Sequence, residues 1–241
     1  MQPDTAVILS AGVGSRMRPL SLATPKPLLK LTGQPILAHV LARLACAGVQ
    51  NILVNTHHLA DQMEAFCADR PGVRVIREAQ LLETGGAVAA MLTRNLLPDA
   101  PFYIINGDSF WADGPSDTLV RMARAFNPAR MDALLLLART AGVAAQTRQG
   151  DFLWPRDGGL QRRGERDVAP YVFAGVQITT PALFANAPEA PFSLNLLWDQ
   201  AMTSGRLDAV VHDGIWFHLS TPEDLARANA ALAAGEVGNT T

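Results

Sequence analysis

The stretch that most constrains this chain is Thr5–Leu28, TAVILSAGVGSRMRPLSLATPKPL. Its apolar run Ala6–Leu9 has the length and composition of a strand buried on both faces. The run passes directly into Ala11-Gly12-Val13-Gly14-Ser15. Glycines at this spacing let the backbone reach φ > 0 and turn successive N–H groups towards one point, a concave row of donors that suits phosphate. Arg16, Arg18 and Lys26 follow within reach of the same loop. Arg offers a planar fork of donors and Lys a point charge, both matched to a polyphosphate. Pro19, Pro25 and Pro27 exclude an ordinary helix and stiffen the excursion. The expectation is a strand feeding an anion-holding loop.

The spacing rules out the two commonest phosphate loops. A dinucleotide fingerprint needs a third glycine opening a helix, and a P-loop needs Gly-Lys-Ser/Thr after four residues; neither is present. The bland alternative is a Gly/Pro-rich turn carrying solvated basic residues. The 241 residues carry a formal charge of −2, which gives no electrostatic case for nucleic acid or an anionic membrane. The two cysteines, Cys46 and Cys67, have no Cys-x-x-Cys spacing and read as small core residues rather than a disulfide framework or zinc cage. No apolar run reaches transmembrane length and the N-terminus lacks a leader pattern, so the expected location is cytoplasmic.

Downstream, apolar residues at helical spacing from Ile36 to Leu44 follow Pro35 and end at Gly48. Strands are expected at 51–55 and 73–76, with a helix at 59–67 between them. This alternation predicts a mostly parallel sheet flanked by helices. His57 and His58 fall at a strand end, where ligands gather in such sheets, although paired loop histidines more often serve packing. Leu82-Glu83-Thr84-Gly85-Gly86-Ala87 precedes a helix expected from about Val88 to Leu96; paired glycines there admit something flat or bulky close to the backbone. Residues 101–105 read as a central strand, and Asn106-Gly107-Asp108 places a carboxylate just past its carboxyl end. Further elements are expected at 120–126 (helix), 133–138 (strand), 171–178 (strand), 181–184 (helical turn), 193–202 (helix capped by Ser193), 207–211 and 214–218 (strands) and 221–234 (helix capped by Thr221). Residues 141–167 read as an antiparallel excursion whose Arg162, Arg163 and Arg166 form a solvated face.

The run Gly-x-Gly-x-Arg-x-x-Pro-Leu with Pro25-Lys26-Pro27 resembles the signature of the sugar-1-phosphate nucleotidyltransferases, the nucleotide-sugar pyrophosphorylases. The resemblance is strongest over residues 5–30, fair at 82–87 and 105–108, and weak at 171–178 and 216–224. Length and spacing look most like the N-acetylmuramate-1-phosphate uridylyltransferase branch. The resemblance implies a Rossmann-like α/β fold of the nucleotidyltransferase GT-A-like kind, with a small antiparallel sugar-binding insertion. One domain is expected over 1–241: a nucleotide-binding core at 1–137, a sugar-binding part at 138–220, and a C-terminal helix and tail at 221–241.

The implied reaction joins a sugar-1-phosphate, best N-acetylmuramic acid 1-phosphate, to a nucleoside triphosphate, best UTP, releasing pyrophosphate. Arg16, Lys26 and Asp108 would be catalytic. Ala11, Gly12, Gly14, Ser15, Glu83, Gly85 and Gly86 would bind nucleotide, with Glu83 standing where many relatives carry Gly. Asn106 and Gly175 would meet the sugar, and Asp108 would hold Mg²⁺. The expected partners are those two substrates alone, without nucleic acid or membrane, in a monomer or small homo-oligomer. Transfer of dTMP, GMP or CMP to another phosphate acceptor, and a nucleotide-sugar sensor without turnover, are the alternatives.

One departure stands out. Many members of the resembled family end with Trp-x-Asp-x-Gly-Thr, whose Asp is the second protein ligand to magnesium, whereas this chain has Trp216-Phe217-His218-Leu219-Ser220-Thr221. Imidazole is a poor ligand for a hard cation. His218 at the metal position therefore has four readings: a phosphate contact, a ligand to a softer metal, a bystander where waters and substrate oxygens complete the site, or a packing residue.

Overall fold

The computed structural model describes residues 2–142, 149–155 and 158–234. Strand β1 (Thr5–Leu9) is followed by a 3₁₀ turn (Ser15–Met17), the short α1 (Leu20–Ala23) and a second 3₁₀ turn (Lys26–Leu28). The prolines thus permit single turns but no long helix, as their missing N–H groups require. Next come the small hairpin β2 (Lys30–Leu31) and β3 (Gln34–Pro35), α2 (Ile36–Cys46), β4 (Asn51–Thr56), α3 (Ala60–Cys67), β5 (Val73–Arg77), α4 (Glu83–Thr93) and β6 (Phe102–Asn106). The remaining elements are β7 (Phe110–Ala112), α5 (Thr118–Ala125), β8 (Ala133–Arg139), β9 (Phe152–Leu153), β10 (Gln161–Arg162), β11 (Tyr171–Thr179), α6 (Leu194–Thr203), β12 (Leu207–Val211), β13 (Ile215–Phe217) and α7 (Pro222–Ala233).

Seven strands of the nine-stranded main sheet run β5-β4-β1-β6-β11-β8-β12, and the short β9 and β10 join it at β11. β5, β4, β1 and β6 are mutually parallel, β11 is antiparallel to both β6 and β8, and β12 is parallel to β8. Six of the seven strands therefore share one direction, as the alternating pattern predicts. Both faces are covered. Ala6 and Ile8 join Leu37, Val40 and Leu44 of α2 on one side, while Val7 joins Val88 and Met91 of α4 on the other. This is period-two alternation on a strand with no wet face, and each such fully buried large side chain contributes about 1.5–3 kcal/mol.

A third, smaller cluster matters for function. Met17 from the first loop, Phe110, Phe217, Leu219, and Leu225 and Ala228 of α7 pack together, with β13 paired to β7. Thr221 caps α7 in a full capping box with Asp224, as the Thr-Pro-Glu-Asp run predicts.

Two expectations need correction. The helix expected from Val88 starts at Glu83, so Gly85 and Gly86 lie inside its first turn. The reason is a distant partner: the N–H groups of Gly85 and Gly86 donate to the Phe192 carbonyl at 2.9 and 3.0 Å, satisfying amides that a helix start leaves open. The antiparallel excursion is present as the β9–β10 pair, with residues 143–148 and 156–157 outside the described residues. Its arginines are not uniformly solvated. Arg162 lies over the Phe152 and Trp198 rings and pairs with Asp199, and Arg163 donates to the Gly150 carbonyl at 3.0 Å; Arg166 remains exposed.

Candidate active site

The carboxyl ends of β1 and β6 are adjacent, in register from Ala6–Tyr103 to Leu9–Asn106. The loops leaving these two strands therefore meet. After β1 the chain turns at Gly14 (φ 60°), a left-handed conformation suited to glycine, whose carbonyl accepts from Ser21 Oγ at 2.8 Å. Gly12 does not adopt positive φ, so only one of the two glycines is needed for conformation.

Of the two histidines after β4, His58 scaffolds this loop and His57 the segment after β5. His58 Nε2 bonds the Ser21 carbonyl at 2.9 Å, and His57 Nδ1 bonds the Glu78 carbonyl at 3.0 Å.

Two cavities open side by side. One, of about 240 Å³, is lined by Ser10, Gly12, Gly14, Ser15, Arg16, Lys26, Asp108 and Ser220, among others. Its neighbour, about 410 Å³, is lined by Ala11, Gly12, Asn55, Glu78, Glu83, Thr84, Asn106 and Asp108, among others. Leu9, Gly12 and Asp108 belong to both walls. The first is cationic on one side: Arg16 is exposed and has no ion-pair partner among the described residues, and Lys26 is largely buried. Lys26 Nζ pairs directly with Asp108 across the mouth of the loop. The second carries carboxylates and amides. A larger groove, about 770 Å³, lies between the end of α4 and residues 181–190 and is lined by none of the expected site residues.

Nine of the expected residues thus converge: Ala11, Gly12, Gly14, Ser15, Arg16, Lys26, Glu83, Asn106 and Asp108. Gly85, Gly86, Gly175 and His218 line neither cavity. A side chain on Gly85 would overlap the Phe192 ring, and one on Gly86 would come within 2.8 Å of Ala190 Cβ. The glycine pair is explained by packing against residues 190–192 and not by the approach of a ligand. From the same segment it is Glu83 (φ 59°) and Thr84 that face the cavity. Gly175 has φ 81° where the β11–β8 register shifts, and the space above it is filled by Ser109 Oγ and Asn106 Nδ2. Its closeness is to protein, so the sugar contact assigned to it is not supported.

His218 follows from alternation. Phe217 and Leu219 are buried in the third cluster, which turns the residue between them the other way. Its ring lies 5.6 Å from that of Trp216. Burial pushes its pKa below the usual histidine range; Asp224 and Asp108 oppose this, while Lys26 and Arg16 reinforce it. Burial thus favours the neutral imidazole.

The donor set accommodates one hard cation only with help. Among the described residues no group of three or more His, Cys, Asp or Glu side chains is placed to hold a metal. Asp108 alone supplies carboxylate oxygen beside the cationic loop. That suits Mg²⁺, which is usually held by one or two carboxylates with substrate phosphates and water.

Sequence reading did not find Ser10, Asn55, Glu78 or Ser220. Asn55 was legible as the polar residue closing the strand expected at 51–55, and Ser220 as the residue at the Gly position of the departing motif; Glu78 carried no comparable signal.

Comparison with known proteins agrees with this geometry. The family model described as "Nucleotidyl transferase" matches residues 5–141. N-acetylmuramate alpha-1-phosphate uridylyltransferase of Caulobacter vibrioides is 36% identical over 96% of this chain and 98% of its own length. Mannose-1-phosphate guanylyltransferase catalytic subunit beta of Drosophila pseudoobscura pseudoobscura is 30% identical over 91% of this chain, which spans 60% of that relative's length. A putative glucose-1-phosphate thymidylyltransferase from Bacillus anthracis superposes with a TM-score of 0.80 at 18% identity, covering 98% and 97% of the two chains, a likeness of fold. With a family model over more than half of its residues and a relative 36% identical over nearly its whole length, the chain belongs to the nucleotidyltransferase family.

Proposed function

We propose that the protein transfers a uridylyl group from UTP to N-acetylmuramic acid 1-phosphate, releasing pyrophosphate. The observation that carries this reading is the 36% identity to an N-acetylmuramate alpha-1-phosphate uridylyltransferase over nearly the whole of both chains. The site is built for such chemistry. A sugar-phosphate oxygen is already anionic near neutral pH and needs no general base; the barrier is repulsion between anions and the entropy of alignment.

Arg16 and the amides of residues 12–15 hold the β- and γ-phosphates in the smaller cavity. The larger cavity takes the nucleoside, with Glu83, Thr84 and Asn106 at its rim. Lys26 leaves Asp108 to bridge the α-phosphate and the incoming sugar phosphate. The sugar-phosphate oxygen then forms a bond to the α-phosphorus in line with the departing pyrophosphate, which takes the electron pair of the breaking P–O bond. Asp108 would hold Mg²⁺ together with phosphate oxygens and water, and the ion would supply neutralising charge at the α-phosphate. In this reading His218 is not a ligand.

A pyrophosphate-release assay of UTP, dTTP, GTP and CTP against a panel of sugar-1-phosphates tests the proposal. UTP with N-acetylmuramic acid 1-phosphate should give the highest kcat/KM. Preference for GTP with mannose-1-phosphate would reassign the substrates, and no turnover of any pair would leave a binding protein.

A further inference from the structure

The wall of the larger cavity contains a hydrogen-bonded chain that the reaction as described does not use. Asn55, at the end of β4, is 3% exposed, and Glu78, just past β5, is 8% exposed. The Ser10 N–H donates to Asn55 Oδ1 at 2.6 Å. Because a backbone N–H can only donate, the amide oxygen faces Ser10 and the amide nitrogen must face the other way. There Asn55 Nδ2 donates to Glu78 Oε1 at 2.7 Å. The second carboxylate oxygen of Glu78 accepts the Leu82 N–H at 3.3 Å. Glu78 is itself pinned: its N–H donates to the Thr56 carbonyl at 2.8 Å, and its carbonyl meets His57 Nδ1.

The two ends of this chain are the two halves of the site. Ser10 begins the loop that carries Gly12, Gly14 and Arg16, and Leu82 immediately precedes Glu83 and Thr84 on the nucleoside side. A buried carboxylate and amide cost desolvation unless every polar atom is paired, and here the pairing runs continuously from one half to the other.

We propose that Asn55 and Glu78 are positioning residues, a buried strut that sets the spacing between the phosphate loop and the nucleoside rim and thereby fixes nucleotide affinity. The inference rests on the nucleotidyl-transfer reading for its kinetic arm.

The donor–acceptor order gives a specific test. Asn55→Asp keeps the acceptor for Ser10 but sets two carboxylates against each other. Glu78→Gln leaves one oxygen for two donors, so Asn55 and the Leu82 N–H cannot both be satisfied. In the double variant Asn55→Asp/Glu78→Gln, Ser10 donates to Asp, the glutamine amide donates to the same Asp, and its oxygen accepts from Leu82. Every bond is restored with the polarity of the middle one reversed.

Each single variant should raise the nucleotide KM about tenfold, the size of losing a hydrogen bond to a charged group, while the sugar-phosphate KM stays within about threefold. The double variant should return the nucleotide KM to within about threefold of the parent. Calorimetric Kd values for UTP and for inorganic pyrophosphate, in the presence of Mg²⁺, should follow the same order. Single variants with unchanged nucleotide KM, whatever their Tm, would overturn the proposal. So would a double variant that binds no better than either single one. Should the single variants fail to fold, the double variant alone decides: folded with near-parental Kd it supports the strut, and misfolded or weak in binding it refutes it. If the unaltered protein turned over no substrate pair, the functional reading would fail while the Kd series still judged the strut.

Discussion

Two glycine-marked segments border the same cleft and use glycine for opposite purposes. At Gly12 the missing side chain faces open space: a Cβ there would meet nothing within 4 Å, and Gly12 lines both cavities, while Gly14 serves its left-handed turn. At residues 85–86 the missing side chains face the protein, where Phe192 and Ala190 occupy the space. In sequence the two segments look alike, each a glycine pair beside an expected element end. The difference is whether the space is kept for a ligand or taken by a neighbour far away along the chain. A glycine motif therefore marks close approach without saying what approaches.

The sharpest break in the comparison comes from Lys26, which follows the first segment, and Asp108, which faces it. Lys26→Ala should lower kcat/KM on the order of a hundredfold or more with Tm nearly unchanged, because charge bridging two phosphates in a transition state is worth several kcal/mol. Near-parental turnover would remove Lys26 from the mechanism. Asp108→Asn keeps shape but deletes the charge facing Lys26, so activity should fall by a similar or smaller factor and added Mg²⁺ should recover only part of it. A magnesium titration that superimposes on the parent's would place the ion elsewhere.

The glycines give a crossed pair. Gly12→Ala should leave stability within about 0.5 kcal/mol, since it meets no atom, yet weaken triphosphate binding about tenfold by placing a methyl group in both cavities. Gly85→Ala should do the reverse, costing about 1–3 kcal/mol by overpacking against Phe192 while the nucleotide KM of the folded fraction stays within about twofold. Urea melts and calorimetric titrations of the two variants would refute the distinction if both lost stability or both lost affinity.

A smaller effect lies outside both segments. His212 is buried, bonded to Thr118 Oγ1 and to the Ala112 and Ile215 carbonyls, and burial holds its pKa below the usual range. The unfolded chain then binds the proton first as pH falls. Stability should be full above the ordinary histidine range and decline as pH drops through it towards the depressed folded value. His212→Gln should flatten that slope; an unaltered pH profile of unfolding would mean that other groups set it.

How much of this was legible in the sequence depended on the range of the interactions. The alternating elements from β1 to β6 and the α7 cap follow from local periodicity and turn chemistry. The convergence of the first loop with Asp108 follows from parallel strands whose carboxyl ends share an edge. What stayed hidden was long-range: the Phe192 carbonyl that moves the start of α4 to Glu83, the Ser109 side chain that fills the space over Gly175, and the Glu78 carboxylate that reaches across to Asn55. Each of these partners is far away along the chain, and even Glu78, which continues the strand paired with β4, is brought to Asn55 only by the sheet, so no local pattern announces it.

The third hydrophobic cluster has a consequence for timing. Met17 belongs to the first loop made during synthesis, while Phe217, Leu219, Leu225 and Ala228, against which it packs, are made much later. The parallel half of the sheet can assemble early, and Leu29, Leu31 and Ile36 already lie under Met17, yet the floor of the loop that carries Arg16 is incomplete until residues 217–228 arrive. A nascent chain of this protein would carry its signature motif for most of its translation without a working site, and competence would come as one late event.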